Sequence, residues 1–463
     1  MKRILCIFLC LITAALCCSC AAKSNSASDT GQLTYYYVKD HRDDMVEKIQ
    51  RYNRWCYTHS TDDMRIKLIE FDSYETMSRR LNLEVMSGGG PDLFSNYMDL
   101  PFEKLLQSGA FYDLNKLIEN DTSDDKIDLS LYNDTIMDAG VYNGKRYFIP
   151  AFYRVQSLVG ERQDFEKFDM PTDQGHHLTF GNMDEVFGRY LEDPGSYAFM
   201  AGDVYSGGFN ADTAVLRLVN SYVDFEKETV SFDDDFKTKL QFLSRLRENA
   251  VAAPEKASSG IGSSAPVLFH QEASYSNPIW TEFMLSLPDE DFVREKLKLA
   301  PMDDPVMYSC FEKDDDTFSA NIVDALFVNA ETKKADKVLA FIKYLLGSHI
   351  QNLYTGTNED YNYGGDVDFL PVLKSAFQNC VRDSHTAGKW FGEEVSPSLH
   401  PLTQALVEHV NQINTVYLYF DLYESNYNKN VVIPILQDYW DGKTDINKCV
   451  NNLSSATKIY IME

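Results

Sequence analysis

The stretch YETMSRRLNLEVMSGGGPDLF, Tyr74 to Phe94, decides the fold. Its first part is amphipathic, with Met77, Leu81, Leu83 and Val85 near one helical face. The helix must stop at Ser87-Gly88-Gly89-Gly90-Pro91, a glycine run closed by a residue that cannot continue it. Asp92-Leu93-Phe94 then opens a strand. Upstream, QLTYYYVKD (Gln32 to Asp40) has strand composition, MVEKIQRYNRW (Met45 to Trp55) has helical periodicity, and MRIKLIEF (Met64 to Phe71) alternates as a second strand. This β-α-β-α-β order predicts an α/β protein with a doubly wound, mostly parallel sheet. Such sheets bind ligands in the crevice beyond the carboxyl ends of their strands. The glycine triplet does not read as a phosphate cradle. It ends a helix and enters a strand, the reverse of the nucleotide-binding order, and it lacks the Lys-Ser/Thr partner.

The alternation continues downstream. FEKLLQSGAFYDLNKLI (Phe102 to Ile118) predicts a helix, a glycine stop and a second short helix. VYNGKRYFIPAF (Val141 to Phe152) is a strand-turn-strand signal with Asn143-Gly144 as a type I′ turn. Helices are predicted over MDEVFGRYLED (Met183 to Asp193), FDDDFKTKLQFLSRLREN (Phe232 to Asn249) and KADKVLAFIKYLLGS (Lys334 to Ser348). In the second of these, the acidic first turn faces the positive end of the helix dipole. Ser258 to Ser264 reads as a loop, and no repeat of solenoid period is present.

Composition narrows the function classes. The chain has 463 residues, 44% hydrophobic and 24% charged, which is globular and long enough for two or three lobes at about 150 residues each. Lys and Arg number 43 against 70 Asp and Glu, a formal charge of -27, so the basic footprint that nucleic acid needs is missing. With 28 Tyr and 28 Phe but 4 Trp, the aromatic content points to a neutral polar ligand with apolar faces. At the N-terminus, Lys2 and Arg3 precede the apolar run Ile4 to Leu16, which is too short to span about 30 Å of hydrocarbon and matches a secretory signal over residues 1–19. With Cys20 followed by AAKSNSASDTG, the segment resembles a bacterial lipoprotein signal, in which the Cys after the cleavage site is acylated. Cys17 stands where that motif usually has an aliphatic residue, so Cys18 is the alternative to Cys20. Residues 20–31 then form a flexible tether, and a diacylated Cys supplies the two chains that stable anchoring requires.

Together these stretches carry a family resemblance. YETMSRRLNLEVMSGGGPDLF, KLLQSGAFYDLNKLI, YNGKRYFIPAF, VSFDDDFKTKLQFLSRL and ADKVLAFIKYLLGSHIQNLY resemble, in order and spacing, extracellular solute-binding proteins (family 1 type) of carbohydrate ABC importers. The resemblance covers nearly the whole chain, apart from a long region after Tyr354 and an acidic insert at Glu312 to Asp316. It implies a two-lobed periplasmic-binding-protein-like fold of type II with the ligand cleft between the lobes. The lobes are expected at 32–154 with 302–350, and at 155–301 with 351–463, with Pro150 and Pro301 as landmarks near the crossings. It implies capture of a sugar by lobe closure, delivery to ABC permease subunits, attachment to the outer face of the membrane through lipid, a monomer, and no cofactor.

A pyranose ring packs its CH face on an aromatic ring and needs polar partners for its hydroxyls, since leaving one desolvated and unpaired costs about 1–3 kcal/mol. Topology selects the candidates. They are Tyr37 and Asp40 after the first strand, Asn96 and Tyr97 after the third, and Phe152, Tyr153, Arg154 and Gln156 after the hairpin. Phe209, Asn210, Trp280, Tyr361, Asn362 and Tyr363 complete the set. Each aromatic among them has core packing as its structural alternative.

Catalytic and metal signals are weak. No GxSxG or HExxH is present, and with 70 acids no particular carboxylate pair stands out. His176-His177 reads as an exposed loop, and acid-rich Asp121 to Asp128 as a solvated turn that lacks the features of a calcium loop. Cys56, Cys310, Cys380 and Cys449 lie beyond the signal, either as buried thiols or with Cys380 and Cys449 paired. The alternatives to an importer component are an exported glycan-processing enzyme and a surface glycan-binding protein without a transporter.

Overall fold

The computed structural model describes residues 31–39, 43–96, 98, 100–155, 157–193, 198–200, 211–251, 267–269, 277–285, 303–354, 369–384, 398–418 and 425–462. Its first elements are those predicted: β1 (Leu33–Val38), α1 (Asp44–Thr58), β2 (Ile66–Phe71), α2 (Tyr74–Met86) and β3 (Leu93–Ser95). β1 pairs in parallel with β2 from Leu33↔Ile66 to Val38↔Phe71, and with β3 at Tyr35↔Leu93. The end of α2 shows why glycine is required there. Gly88 and Gly90 hold φ of 74° and 100°, a region that L side chains rarely adopt. Asp92, released by this turn, is buried and gathers the amino ends of several segments. Its carboxylate accepts from Thr34 N at 3.0 Å, from the Thr332 hydroxyl at 2.6 Å and from Lys334 Nζ at 3.0 Å.

Next come α3 (Phe102–Ser108), the hairpin β4 (Val141–Tyr142) and β5 (Lys145–Arg146), and β6 (Phe148–Val155). Asn143 and Gly144 at the hairpin tip both have positive φ, 49° and 72°, as the type I′ turn predicts. β6 belongs to the large sheet, but the following β7 (Ser157–Glu161) belongs to a second, three-stranded sheet, so the chain has changed sheets between Val155 and Ser157. In the second sheet lie β8 (His176–His177), in parallel with β13 (Pro305–Ser309), and β7, antiparallel to it. Around that sheet are α4 (Phe180–Glu192), β9 (Ala198–Met200), α5 (Ala211–Ser221), the hairpin β10 (Val223–Asp224) and β11 (Thr229–Val230), α6 (Asp234–Val251) and β12 (Val267–Phe269). A reciprocal capping box between Thr179 and Asn182 starts α4.

The chain re-enters the large sheet as β14 (Ser319–Val328), antiparallel to both β3 and β6, with all ten residues buried. Phe327 of β14 meets Phe102, Phe111 and Phe148 with ring centroids 4.5, 4.9 and 4.8 Å away, which cements α3 to the sheet. α7 (Ala335–Leu346), β15 (Leu370–Pro371), α8 (Pro401–Gln412), β16 (Thr415–Tyr417) and α9 (Ile446–Met462) follow. The large sheet runs β15-β6-β14-β3-β1-β2, with β16 joined to β14.

Several expectations need adjustment. The large sheet is not mostly parallel, because β14 runs antiparallel to β3 and β6 and β15 antiparallel to β6, and Leu83 stands exposed rather than on the apolar face of α2. Pro305–Ser309, placed by sequence with the first lobe, pairs with β7 in the second sheet, and Leu370–Pro371, placed with the second lobe, edges the large sheet against β6. Pro150 lies inside β6, opposite Ala325, rather than at the crossing, and Pro301 falls outside the described residues. Cys380 and Cys449 do not pair. All four described cysteines are free and buried; the Cys380 thiol donates to Asn277 Oδ1 at 3.4 Å, whereas Cys449 sits on α9, which packs against α6. Burial pushes both thiols up to about 12. His176-His177 is not an exposed loop, because it forms β8 and both residues are half-buried. Asp121 is held by Lys343 Nζ at 2.8 Å. The loop expected at Ser258 to Ser264 lies outside the described residues.

Candidate functional site

The carboxyl ends of β1 and β3 meet the strands that pass between the sheets, and a charged cluster fills this junction. Asp43 caps α1, accepting from the backbone N–H groups of Met45 and Val46 at 3.1 and 3.4 Å. The Tyr35 hydroxyl donates to Asp43 Oδ2 at 2.8 Å and lies 2.5 Å from the Ser95 hydroxyl. Lys48, one turn into α1, points inward and pairs with Asp324 of β14 at 2.6 Å, both side chains being almost fully enclosed. The Lys48 ammonium also lies 4.9 Å from the centroid of the Phe152 ring. Enclosure pushes the Asp43 carboxyl up to about 7; the Tyr35 hydrogen bond opposes the shift, and the charge of Asp324 adds to it.

A second buried network ties the crossings together. Arg217 of α5 donates to Glu312 Oε1 at 2.5 Å, to the Ser319 hydroxyl at 3.0 Å and to Asn321 Oδ1 at 2.6 Å. Tyr417 of β16 donates to the other Glu312 oxygen at 2.9 Å. Glu312, read from sequence as part of an acidic insert, is therefore an internal ion-pair partner.

Between the two halves lies a cavity of about 480 Å³. Glu103 and Leu106 of α3, Tyr142 of the first hairpin and Phe148 form one wall, Phe225 of the β10–β11 hairpin faces them, and Tyr417 and Tyr427 contribute rings. The halves touch at its edge: the Tyr142 hydroxyl and Gln107 Nε2 both donate to the Phe225 carbonyl, at 2.8 and 3.0 Å. The charged cluster is built from α1, β1, β3 and β14, whereas this cavity is lined from α3, the two hairpins and β16. Among the described residues, no group of His, Cys, Asp and Glu is arranged to hold a metal ion, and no helix is long and apolar enough to cross a membrane.

The structure brings three of the sequence candidates to the junction. Asn96 is buried, donating to the Val323 and Leu418 carbonyls at 3.1 and 3.2 Å and accepting from Ala325 N at 2.9 Å, so it fastens β3 to β14 and to the end of β16. Phe152 lies under Lys48, and Arg154 is buried opposite Asn321. Tyr153 is buried between Ile322 and Leu370 in the sheet. Tyr37 is farther out on β1, its hydroxyl donating to Glu70 at 2.7 Å. Asp40, Tyr97, Gln156, Phe209, Asn210, Tyr361, Asn362, Tyr363 and the lipidation candidate Cys20, with its alternative Cys18, lie outside the described residues. Trp280 is on the helix Pro278–Leu285, with its side chain outside them. Lys48, Asp324, Arg217 and Glu312 were not among the candidates. For the first three a signal was present: a lysine on the apolar face of α1, an acid within NIVDALFV, and an arginine within AVLRLVN.

No protein-family model matches the chain, and no curated protein matches it in sequence. Solved structures do. A chitin oligosaccharide binding protein is 14% identical with a TM-score of 0.59, the match covering 93% of this chain and 99% of that one. An ABC substrate-binding protein from Listeria monocytogenes in complex with cycloalternan is 12% identical with a TM-score of 0.57 and the same coverage. UgpB from Mycobacterium tuberculosis in complex with glycerophosphocholine is 13% identical with a TM-score of 0.53, covering 93% of this chain and 98% of that one. The chain therefore has the two-lobed α/β fold of the solute-binding proteins.

The raised Asp43 predicts a pH dependence. A carboxyl moved from 3.8 to about 7 favours its protonated form in the fold. Its contribution is complete below about pH 4 and is lost as pH rises through 7, on the order of 2–4 kcal/mol. Asp43→Asn keeps the cap and removes the titration. Thermal unfolding of this variant should fall less between pH 5 and 8 than that of the parent; parallel curves would contradict the assignment.

Proposed function

We propose that this protein is the membrane-tethered substrate-binding component of an ABC importer, and that it captures a sugar or oligosaccharide by lobe closure. The observation that carries this is the junction itself: two α/β halves joined by several crossings, meeting at the carboxyl ends of parallel strands where polar and aromatic side chains converge. Ligands bind outside the carboxyl ends of such strands, and contacts to both lobes favour the closed state. The pairing supports a first lobe of 32–155 with 319–354 and 369–373, and a second of 157–309 with 398–412 and 425–462. We place the ligand beyond the carboxyl ends of β1 and β3, over a floor shaped by the buried Asn96, Phe152 and Arg154, with Tyr37 at the margin; Asp40, Tyr97, Gln156, Phe209, Asn210, Trp280, Tyr361, Asn362 and Tyr363 remain candidates from topology.

A sugar is favoured by the aromatic content and by the oligosaccharides named for two of the three structural neighbours above. The glycerophosphocholine bound by the third makes a polar non-sugar ligand the outcome to test against. No covalent step is needed. The permease would read the closed shape, and the anchor would raise the local concentration of binding protein near it.

Two measurements test the proposal. Calorimetry with a panel that includes chitin oligosaccharides, cyclic and linear maltooligosaccharides and glycerophosphocholine should give one saturable binding event for a sugar, with the sugar recovered unchanged. Release of new reducing ends would identify an enzyme instead, and binding of glycerophosphocholine alone would exclude the sugar assignment. For the anchor, Cys20→Ser should move the protein from the membrane fraction to the soluble exported fraction. Retention on the membrane would shift the lipid site to Cys18 or remove it.

A further inference from the structure

We propose that Arg217 is a positioning residue that sets the angle between the two lobes; the inference rests on the capture mechanism proposed above. Arg217 belongs to α5, on the side of the second sheet, yet its guanidinium is bonded outside that half. Its partners are Glu312, on the segment that returns from β13 to β14, and Ser319 and Asn321, on β14 of the large sheet. Glu312 in turn accepts from the Ser319 hydroxyl at 2.5 Å and from Tyr417 of β16 at 2.9 Å. The Arg217 guanidinium carbon also lies 4.8 Å from the centroid of the Tyr417 ring. One planar side chain thus joins α5 to two segments that link the halves, and touches β16 beside them.

The chemistry favours a geometric role over adhesive strength. Arg217 and Glu312 are 2% and 4% exposed, and Asn321 is fully enclosed. A buried ion pair contributes little stability relative to apolar side chains of similar volume, because desolvation offsets the attraction. A guanidinium, however, has its donors in a rigid fork, so its acceptors are met together in only one orientation. Apolar contacts at this point would allow the lobes to slide over a range of angles. Capture depends on that angle, since a ligand bonded to both lobes is held only where the two sets of partners arrive together. Asn220 and Ser221, at the end of the same helix, line the inter-lobe cavity, so rotation about this contact also changes the shape of that cavity.

The test uses the full chain without any ligand, so its outcome is independent of which molecule the protein binds. Spin labels at Leu83→Cys and Leu191→Cys, exposed sites on α2 and α4, report the inter-lobe distance. The double variant Arg217→Met/Glu312→Met replaces the pair by apolar side chains. It should fold with a lowered melting temperature, because Ser319, Asn321 and Tyr417 also lose a partner, while its inter-lobe distance distribution broadens by about twofold or shifts. Arg217→Lys, which keeps the charge but lacks the fork, should broaden the distribution as well, and it serves should the double variant not fold. An unchanged distribution in a folded variant, with or without a loss of stability, would overturn the proposal.

Discussion

Two polar side chains in one buried strand impose the arrangement on which the rest depends. Asn321 and Asp324 have no exposure in β14, among Ile322, Val323, Leu326, Phe327 and Val328. An uncompensated carboxylate or amide there would cost several kcal/mol, so each needs a partner brought to it. Lys48 reaches Asp324 from α1, and Arg217 reaches Asn321 from α5. The first contact locks the opening β-α unit onto the returning strand. The second locks the other half of the molecule to the same strand. β14 also pairs with β3, β6 and β16, which makes it the meeting point of the large sheet and of the segments that leave it.

This arrangement places chemistry where an α/β sheet offers a ligand access. The parallel strands β1 and β3 end beside β14, where Asn96 bonds to the Val323 and Leu418 carbonyls. The charged cluster beneath is enclosed, and enclosure raises Asp43 and keeps Tyr35 protonated. Such a floor is stiff because each of these groups is held by another. A stiff polar floor suits a ligand whose hydroxyls must all be met, since an unmet one costs more than a made bond gains.

Local chemistry was legible in the sequence, and long-range pairing was not. The glycine run at Gly88 to Gly90 and the Asn143-Gly144 hairpin announced themselves because backbone conformations with positive φ exclude most other residues. The helices over Phe180–Glu192, Asp234–Val251 and Ala335–Leu346 were legible from apolar periodicity. By contrast, Pro305–Ser309 and Leu370–Pro371 have strand composition in either lobe, and only pairing with β7 or β6 assigns them. The Glu312 to Asp316 run read only as an acidic insert, since the group that pairs with Glu312 is not the adjacent Lys313 but one far along the chain. Its partner, Arg217, lies in a distant helix. Strand order led to Asn96, Phe152 and Arg154, which the structure buries near the junction, whereas Lys48 and Asp324 required knowledge of which faces meet.

The central claim is that a ligand is held between the lobes at the carboxyl ends of β1 and β3. A crystal structure grown with the tightest-binding oligosaccharide tests it most directly. The account predicts one sugar between the sheets, bonded by residues of both lobes and in contact with the region of Asn96, Phe152 and Arg154. Sugar found only on the outer surface, or only in the cavity lined from α3 with the strand ends vacant, would contradict it.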